Sequence, residues 1–348
     1  MLDNSLFEIA QKNGSSAVAV AAGPSYGFYS LVDRWGFESH GTYVASVQRV
    51  TDAPVGFPYS LKVTFSTGQP VFGPDDSCMI YQTIEGIKLS SLQYGTAGAQ
   101  DIILAFGVKA HRPGTYGGTW KKTLNGGTSL SFGFHYTVNA ADTWELKRIL
   151  IPGVTSGNWL SDNQLSAWLC FGLNAGTNLQ VADGAWTAAN GSSVSGVGIV
   201  NGAAATSDVF QLSPAFIIPG SSVPTSFAAL RLLARNQIEE QDRCYRYLRR
   251  WAQPPLKGFV FSATLAGRLG CPICPAMRDV PTLAMGGNLP VTDYAGNSTT
   301  ISSLSTDAST ANVVEFNANL TGALTVGSGC AVQQVGGTTP YLELSSEI

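Results

Sequence analysis

Strict alternation of apolar with small or polar residues recurs along this chain, and it limits the folds such a chain can enter. Tyr59, Leu61, Val63 and Phe65 alternate with Ser60, Lys62 and Thr64. Leu130, Phe132, Phe134, Tyr136 and Val138 form a second run. Leu165, Ala167, Leu169, Phe171 and Leu173 form a third, with Trp168 and Cys170 on its opposite face. Successive side chains of a strand point to opposite faces, so each run offers one face to a core. Turn signals punctuate the runs: Gly68-Gln-Pro70, Gly73-Pro-Asp-Asp76, Arg112-Pro-Gly114, Asn125-Gly-Gly127, Pro152-Gly153 and Asn190-Gly191. Strands this short and turns this frequent predict roughly eight or more antiparallel strands before residue 225, in a sandwich or barrel. Ahead of them, the Asn13-Gly14 turn and the small-residue run Ala17–Ala22 read as an arm or first edge strand over residues 1–30.

One stretch breaks the pattern. The longest run without glycine or proline lies between Pro224 and Pro254, and within it Arg235, Arg243, Arg246, Arg249 and Arg250 are five of the chain's 20 Lys and Arg residues. Ile238, Gln241, Tyr245, Leu248 and Trp251 fall at spacings of three and four, the stripe of a helix that Pro254-Pro255 would end. The spacing predicts one connecting helix over 235–253; Phe227 to Leu233 suits either a last strand or an early helix. The arginines match the negative end of a helix dipole. Arg243, Arg246, Arg249 and Arg250 are also candidate subunit contacts, because guanidinium forks pair well with a neighbour's carboxylates. Beyond the helix, Gly258–Thr264, Thr282–Met285, Val313–Leu320, Ala331–Val335 and Tyr341–Leu344 read as strands, with Asn297–Thr310 as a loop. The expected fold is all-β: a sandwich over 31–234, the helix, and a small C-terminal β-sandwich domain over 254–348.

Charged residues make up 12 % of the chain, and apolar residues 44 %, enough to fill a core. A net charge of −3 argues against nucleic acid or an anionic membrane surface as main partner. No run approaches the ~20 apolar residues of a membrane span. The Ala17–Ala22 run follows an acidic start and a single Lys12, which is not the order of a secretory signal. The six cysteines (Cys78, Cys170, Cys244, Cys271, Cys274, Cys330) show no framework spacing, so free thiols and a reducing site of synthesis are expected.

Reaction chemistry finds little footing. Cys271-Pro-Ile-Cys274 has zinc-type spacing, but His40, His111 and His135 lie far upstream and a closed zinc site needs four ligands. There is no Gly-x-Ser-x-Gly elbow, and Gly196-Val-Gly198-Ile-Val-Asn-Gly202 is too long and lacks the following helix of a dinucleotide fingerprint. Asp33, Glu38, Asp75, Asp76, Glu85, Asp142 and Glu145 supply carboxylates for a glycosidase pair, with no sign of which would face each other. Neither catalytic residues nor a cofactor or metal are expected. Sugar binding asks for less: an exposed flat aromatic ring with a few amide or carboxylate groups beside it. Tyr94, Tyr116, Trp120, Trp159 and Trp186, in loops or at strand ends, are the candidates.

Leu31-Val-Asp33-Arg34-Trp35-Gly-Phe37 begins a series of short motifs whose order resembles one family. A segment like Phe7-Glu-Ile-Ala-Gln11-Lys-Asn13 precedes it. Gln82-Thr-Ile84-Glu85-Gly86, Gly95-Thr-Ala-Gly98, Thr143-Trp144-Glu145, Ile151-Pro152-Gly153, Gly157-Asn-Trp159 and the lone Trp186 follow. Phe210-Gln-Leu212, Pro224-Thr-Ser-Phe227, Cys244-Tyr-Arg246-Tyr247 and an ending like Leu342-Glu-Leu-Ser-Ser-Glu-Ile348 complete it. The series resembles tailed-bacteriophage virion and fibre proteins built on a carbohydrate-binding-module-like jelly roll.

The resemblance implies a jelly-roll sandwich and a non-enzymatic structural place on the virion, as a tail fibre, spike or capsid decoration. It further implies a homotrimer, assembled in the bacterial cytoplasm, that attaches to host-surface polysaccharide. A polysaccharide depolymerase, or a structural cement protein without a ligand, are the alternatives. The N-terminal segment or the helix would dock to other virion proteins. The resemblance also makes Phe227–Leu233 a strand and starts the helix near Arg235. The motif residues themselves read structurally: Trp35 as a core residue beside an Asp33–Arg34 ion pair or capped turn. Ser213-Pro-Ala-Phe-Ile-Ile218 departs from the family's acidic strand end, and no sugar-contact residues carry over.

Overall fold

The alternating runs become strands of two facing sheets. In a computed structural model of the chain, the structure describes residues 1–123, 128–188, 191–222, 224–252, 254–307, 309–333 and 340–347. The turn at 125–127, Asn190 and the last residues of the strand expected to end at Val335 lie outside the described residues. The described residues form two units, Met1–Glu240 and Gln241–Glu347.

In the first unit, one sheet of six described strands runs in the order Val18–Val20, Val44–Val50, Ser60–Thr67, Val209–Pro219, Ile102–Ala110, Glu145–Ile151. The facing sheet of seven runs Trp186–Ala188, Leu130–Val138, Gly114–Lys122, Leu165–Ala175, Ser77–Glu85, Trp35–Gly41, Gly23–Val32. All pairings in both sheets are antiparallel. The chain crosses repeatedly between layers, giving the jelly-roll sandwich. Leu61, Val63, Phe65, Phe132, Phe134 and Phe171 share one buried cluster, as their alternation requires. Phe106 of the six-stranded sheet meets Phe171 and Tyr136 of the other edge to face, each at 4.9 Å between ring centres. Such pairs add roughly 0.5–1.5 kcal/mol beyond the apolar area they bury.

Residues 1–13 are an internal element of this unit. Leu2, Asp3, Asn4, Leu6 and Phe7 are all buried, and Phe7 meets Trp35 edge to face at 5.2 Å. The Asp3 amide donates to Gln82 Oε1 (3.0 Å) while Gln82 Nε2 donates to the Asp3 carbonyl (2.9 Å). Trp35 Nε1 reaches the Asp3 and Asn4 carbonyls, both at 3.2 Å. Asn4, in the left-handed region at φ 51°, ties the turn together through Ile9 and the Asp33 carbonyl. Trp35 is a core residue, 2 % exposed. Asp33 and Arg34 form the turn between the strands Gly23–Val32 and Trp35–Gly41, with Arg34 in the left-handed region at φ 71°. Arg34 pairs with Asp3 (3.4 Å) and donates to the Thr83 carbonyl (2.8 Å); Asp33 receives the Gln11 amide (2.9 Å).

Between 225 and 252 the sequence reading is corrected twice. Phe227–Arg231 is a short helix, not a strand; Ser226 caps it by accepting from the Ala229 amide at 3.2 Å. The expected long helix covers only Gln237–Tyr245, opened by Asn236, which accepts from the Glu239 amide at 2.9 Å. The division between the units falls inside it, after Glu240. Leu248–Trp251 is a strand, pairing antiparallel with Tyr341–Ser345 from Leu248 opposite Ser345 to Trp251 opposite Leu342. The apparent helical stripe ran on because a four-residue strand has too few positions to declare its own period. Its partner lies far away at the chain's other end.

In the second unit that strand, Tyr341–Ser345 and Thr282–Gly286 form a three-stranded sheet. Beside it, Lys257–Ser262, Leu265–Pro272, Val313–Leu320, Ser298–Thr306, Leu289–Asp293 and Gly329–Val332 close into a barrel. The two layers of a small sandwich are thus opposite walls of one closed sheet around Val260, Leu269, Val291, Ile301, Val314 and Phe316. Ser298–Thr306, expected within a loop, is a strand whose hydroxyls bond across to the next strand's end; Thr300 and Thr321 Oγ1 atoms are 2.7 Å apart.

Candidate functional site

The five aromatics nominated from sequence separate into two groups. Tyr116 and Trp120 sit on Gly114–Lys122 at positions of equal parity, so both enter the core, 1 % and 0 % exposed. Tyr116 donates to the Arg112 carbonyl (2.8 Å) and stacks near Tyr136, and neither it nor Trp120 offers a face to a ligand. Tyr94, Trp159 and Trp186 come together. Tyr94 and Trp159 ring centres are 4.8 Å apart at 68°, Tyr94 and Trp186 6.1 Å at 75°, and the two tryptophans 5.8 Å at 87°. Tyr94 is the buried base of this cluster, which corrects its reading as an exposed ring. Burial, and then nearby Asp101, push its phenol well up. Trp186 is half-buried and fixed by its Nε1 bond to the Pro152 carbonyl at 2.8 Å.

Two connecting segments build the site. After Ser77–Glu85 the chain makes a single helical turn, Gly86–Leu89, then a 3-10 turn, Ser90–Leu92, before Tyr94. The segment between Glu145–Ile151 and Leu165–Ala175 passes against it. The Gly95 amide donates to Val154 (2.8 Å), the Ile87 amide to Asp162 (2.6 Å) and the Gly86 amide to Gln164 (3.0 Å). Gly95 is at φ +83°, and a Cβ there would lie 2.3 Å from the Gly157 carbonyl oxygen. Only glycine lets these two backbones close over Tyr94.

Between the segments lies a cleft of about 270 Å³. Tyr94, Trp159, Leu89 and Leu160 give it an apolar floor, and Ser90, Gln93, Thr96 and Ser161 a polar rim. Trp159 is half-buried with neither aromatic neighbour flat against it, which leaves indole surface toward the cleft. Its Nε1 is engaged by the Ser156 carbonyl at 3.3 Å. Thr96 Oγ1 donates to Gln93 O (2.7 Å) and accepts from the Gly98 amide (3.2 Å), and Ser90 Oγ donates to Ile87 O (2.9 Å).

Sequence reading missed a second aromatic surface on the outward face of the seven-stranded sheet. Tyr81 and Trp168 stack at 4.9 Å, and Phe28, 58 % exposed, meets Tyr81 edge-on at 6.2 Å. A Cβ on Gly36 would fall 2.4 Å from the Tyr81 ring, so that ring lies over bare backbone. Lys121 is 5.2 Å from the Trp168 ring centre and donates to Ser193 O at 2.8 Å. Glu38 is buried on the same face, bonded by Ser77 at 2.9 Å; burial pushes its carboxyl up against the pull of Ser77, Lys121 and His40. Trp168 stood out in the alternation, but its partners lie on strands far away in sequence.

The other nominated carboxylates serve turns and strands. Asp76 receives the Gly73 amide (2.7 Å), Asp75 receives Asn178 (2.8 Å), and Asp142 lies 2.9 Å from His111 Nδ1. Glu145 gathers the Asn139 amide (2.7 Å), the Ala140 amide (2.9 Å), Asn139 Nδ2 (2.7 Å) and Lys147 Nζ (2.6 Å). Burial alone would push its carboxyl up, but Lys147 and these amides outweigh it and hold the pKa at about 2. A lowered carboxyl stabilises the fold above its unfolded pKa, and that stability is lost as pH falls through the folded one. Urea midpoints of the wild type should therefore fall between pH 4.5 and about 2, and Glu145→Gln should remove that part of the slope.

The arginines nominated as subunit contacts divide as well. Arg249, 6 % exposed, is corrected: it faces inward, donating to the Pro275 carbonyl at 2.5 Å with its guanidinium 4.7 Å from the Tyr245 ring centre. Arg250 pairs with Glu343 at 3.1 Å and lies over Tyr341 at 3.6 Å. Arg243 and Arg246 are half-buried. Cys274 is exposed and free, and the side chain of Cys271 lies outside the described residues.

No family model and no curated protein matches the chain. Among solved structures it is similar to the enzymatically active domain of tailspike protein 4 of bacteriophage CBA120, at 10 % identity over 62 % of this chain and TM-score 0.29. The match spans 20 % of that domain's length. A family 11 carbohydrate-binding module of a Clostridium thermocellum cellulosomal cellulase matches at 14 % identity and TM-score 0.29, over 60 % of this chain and all of the module. The N-terminal tandem of family 22 modules of Paenibacillus barcinonensis Xyn10C matches at 10 % identity and TM-score 0.30, over 94 % of this chain and 99 % of the tandem.

Proposed function

We propose that this chain is a non-catalytic glycan-binding protein of a tailed-phage virion, using the Tyr94–Trp159 cleft to hold a host-surface sugar. The observation that carries the glycan reading is the half-buried Trp159 ring set beside hydroxyl and amide groups in a preformed cleft. A pyranose has an apolar C–H face and a rim of hydroxyls, and this cleft has the complementary arrangement. The placing on a virion rests on the ordered motifs from Phe7 to Ile348.

Trp159→Ala is expected to weaken binding on a glycan array by tenfold or more. Trp159→Phe should keep most of it. Tyr81→Ala, on the other aromatic surface, should leave it unchanged. Loss on Tyr81→Ala with none on Trp159→Ala would move the site to the sheet face. Mass spectrometry of purified particles should find the protein at fixed stoichiometry; its absence there would end the virion reading.

A further inference from the structure

Resting on the glycan reading of the cleft, we infer that the site takes an uncharged pyranose and turns away uronic and other acidic sugars. Every side chain lining the cleft is neutral. The cationic side chains near its walls are committed elsewhere: Lys88 to Asp3, and Lys122 to the Thr123 (3.1 Å) and Thr128 (3.2 Å) carbonyls inside the sandwich. One acidic residue adjoins the lining. Asp162 follows the lining Ser161 and faces its own backbone, receiving the Gln164 amide at 3.0 Å.

A sugar carboxylate entering here would lose water, find no free cation among the lining side chains, and meet the carboxylate of Asp162 beside them. A neutral sugar loses nothing comparable. It needs donors and acceptors that are not already spent, and the rim has them. The Gln93 amide and the Ser161 hydroxyl have no hydrogen-bond partner among the described residues, and both are exposed. An amide both donates and accepts, which suits a sugar hydroxyl that does the same.

Matched pairs of oligosaccharides, neutral and carboxylated at C6, titrated into the full chain by calorimetry test this. The neutral member should bind at least tenfold tighter, with an affinity unchanged between 50 mM and 500 mM NaCl and lost in Trp159→Ala. Ser161→Arg should narrow or reverse the preference by giving the carboxylate a partner. Acidic members binding as well as neutral ones, and losing that binding in Trp159→Ala, would overturn the charge selectivity and leave the glycan site standing. Binding of neither, or binding that ignores Trp159→Ala, would overturn the site itself and the selectivity with it.

Discussion

Asp3→Ala is expected to destabilise the Met1–Glu240 unit by about 3–5 kcal/mol, the range for removing one partner of a buried ion pair. Asp3 and Arg34 side chains are each 1 % exposed, and Lys88 also pairs with Asp3. Without the carboxylate, the Arg34 guanidinium keeps the Thr83 carbonyl but loses the Asp3 charge in a place water does not reach. Replacing both ends, Asp3→Ala with Arg34→Met, should recover much of the loss, because the charge that needed compensation is gone. Urea denaturation measures the difference, and amide exchange at Trp35 and Gln82 locates it. A change below about 1 kcal/mol, the value of an exposed pair, would mean the N-terminal segment frays in solution.

That segment marks where sequence reading stopped. The alternation of Tyr59–Phe65, Leu130–Val138 and Leu165–Leu173 was legible because each run satisfies one local rule, and all three lie in the two sheets. Residues 1–13 obey no period. Their structure comes from single bonds to residues far along the chain, such as Asp3 with Gln82 and Asn4 with Glu240. The same holds for Leu248–Trp251, whose identity as a strand depends on Tyr341–Ser345. Local propensity gave a helix there, and a long-range ladder overrode it.

The cleft was half legible. Abundant aromatic residues near turns pointed to Tyr94, Trp159 and Trp186, and the fold brings these three together. Tyr116 and Trp120 could have been excluded, since equal parity with the core residue Tyr136 across the register is a strand signal; Tyr116 pairs directly with Tyr136. Gln93 and Ser161 had no signal. A hydroxyl or amide becomes a ligand group only when tertiary structure leaves it unspent beside a ring.

Arg249→Glu separates an internal role from the subunit contact expected of this residue. Its guanidinium donates to the Pro275 carbonyl and covers Tyr245, and the residue is 6 % exposed. A glutamate there would present a carboxylate to a carbonyl oxygen with little water to screen it, so a loss of about 3–5 kcal/mol is expected. The strand Leu248–Trp251 should loosen first, and amide exchange should rise there and in Tyr341–Ser345 before it rises in the barrel strand Val313–Leu320. Arg249→Met should cost less than Arg249→Glu, because it keeps the apolar stem and adds no charge. Arg246→Glu, at a half-buried position, should cost less again. If Arg249→Glu instead left exchange unchanged and altered only the oligomer seen by light scattering, Arg249 would belong to a subunit interface after all.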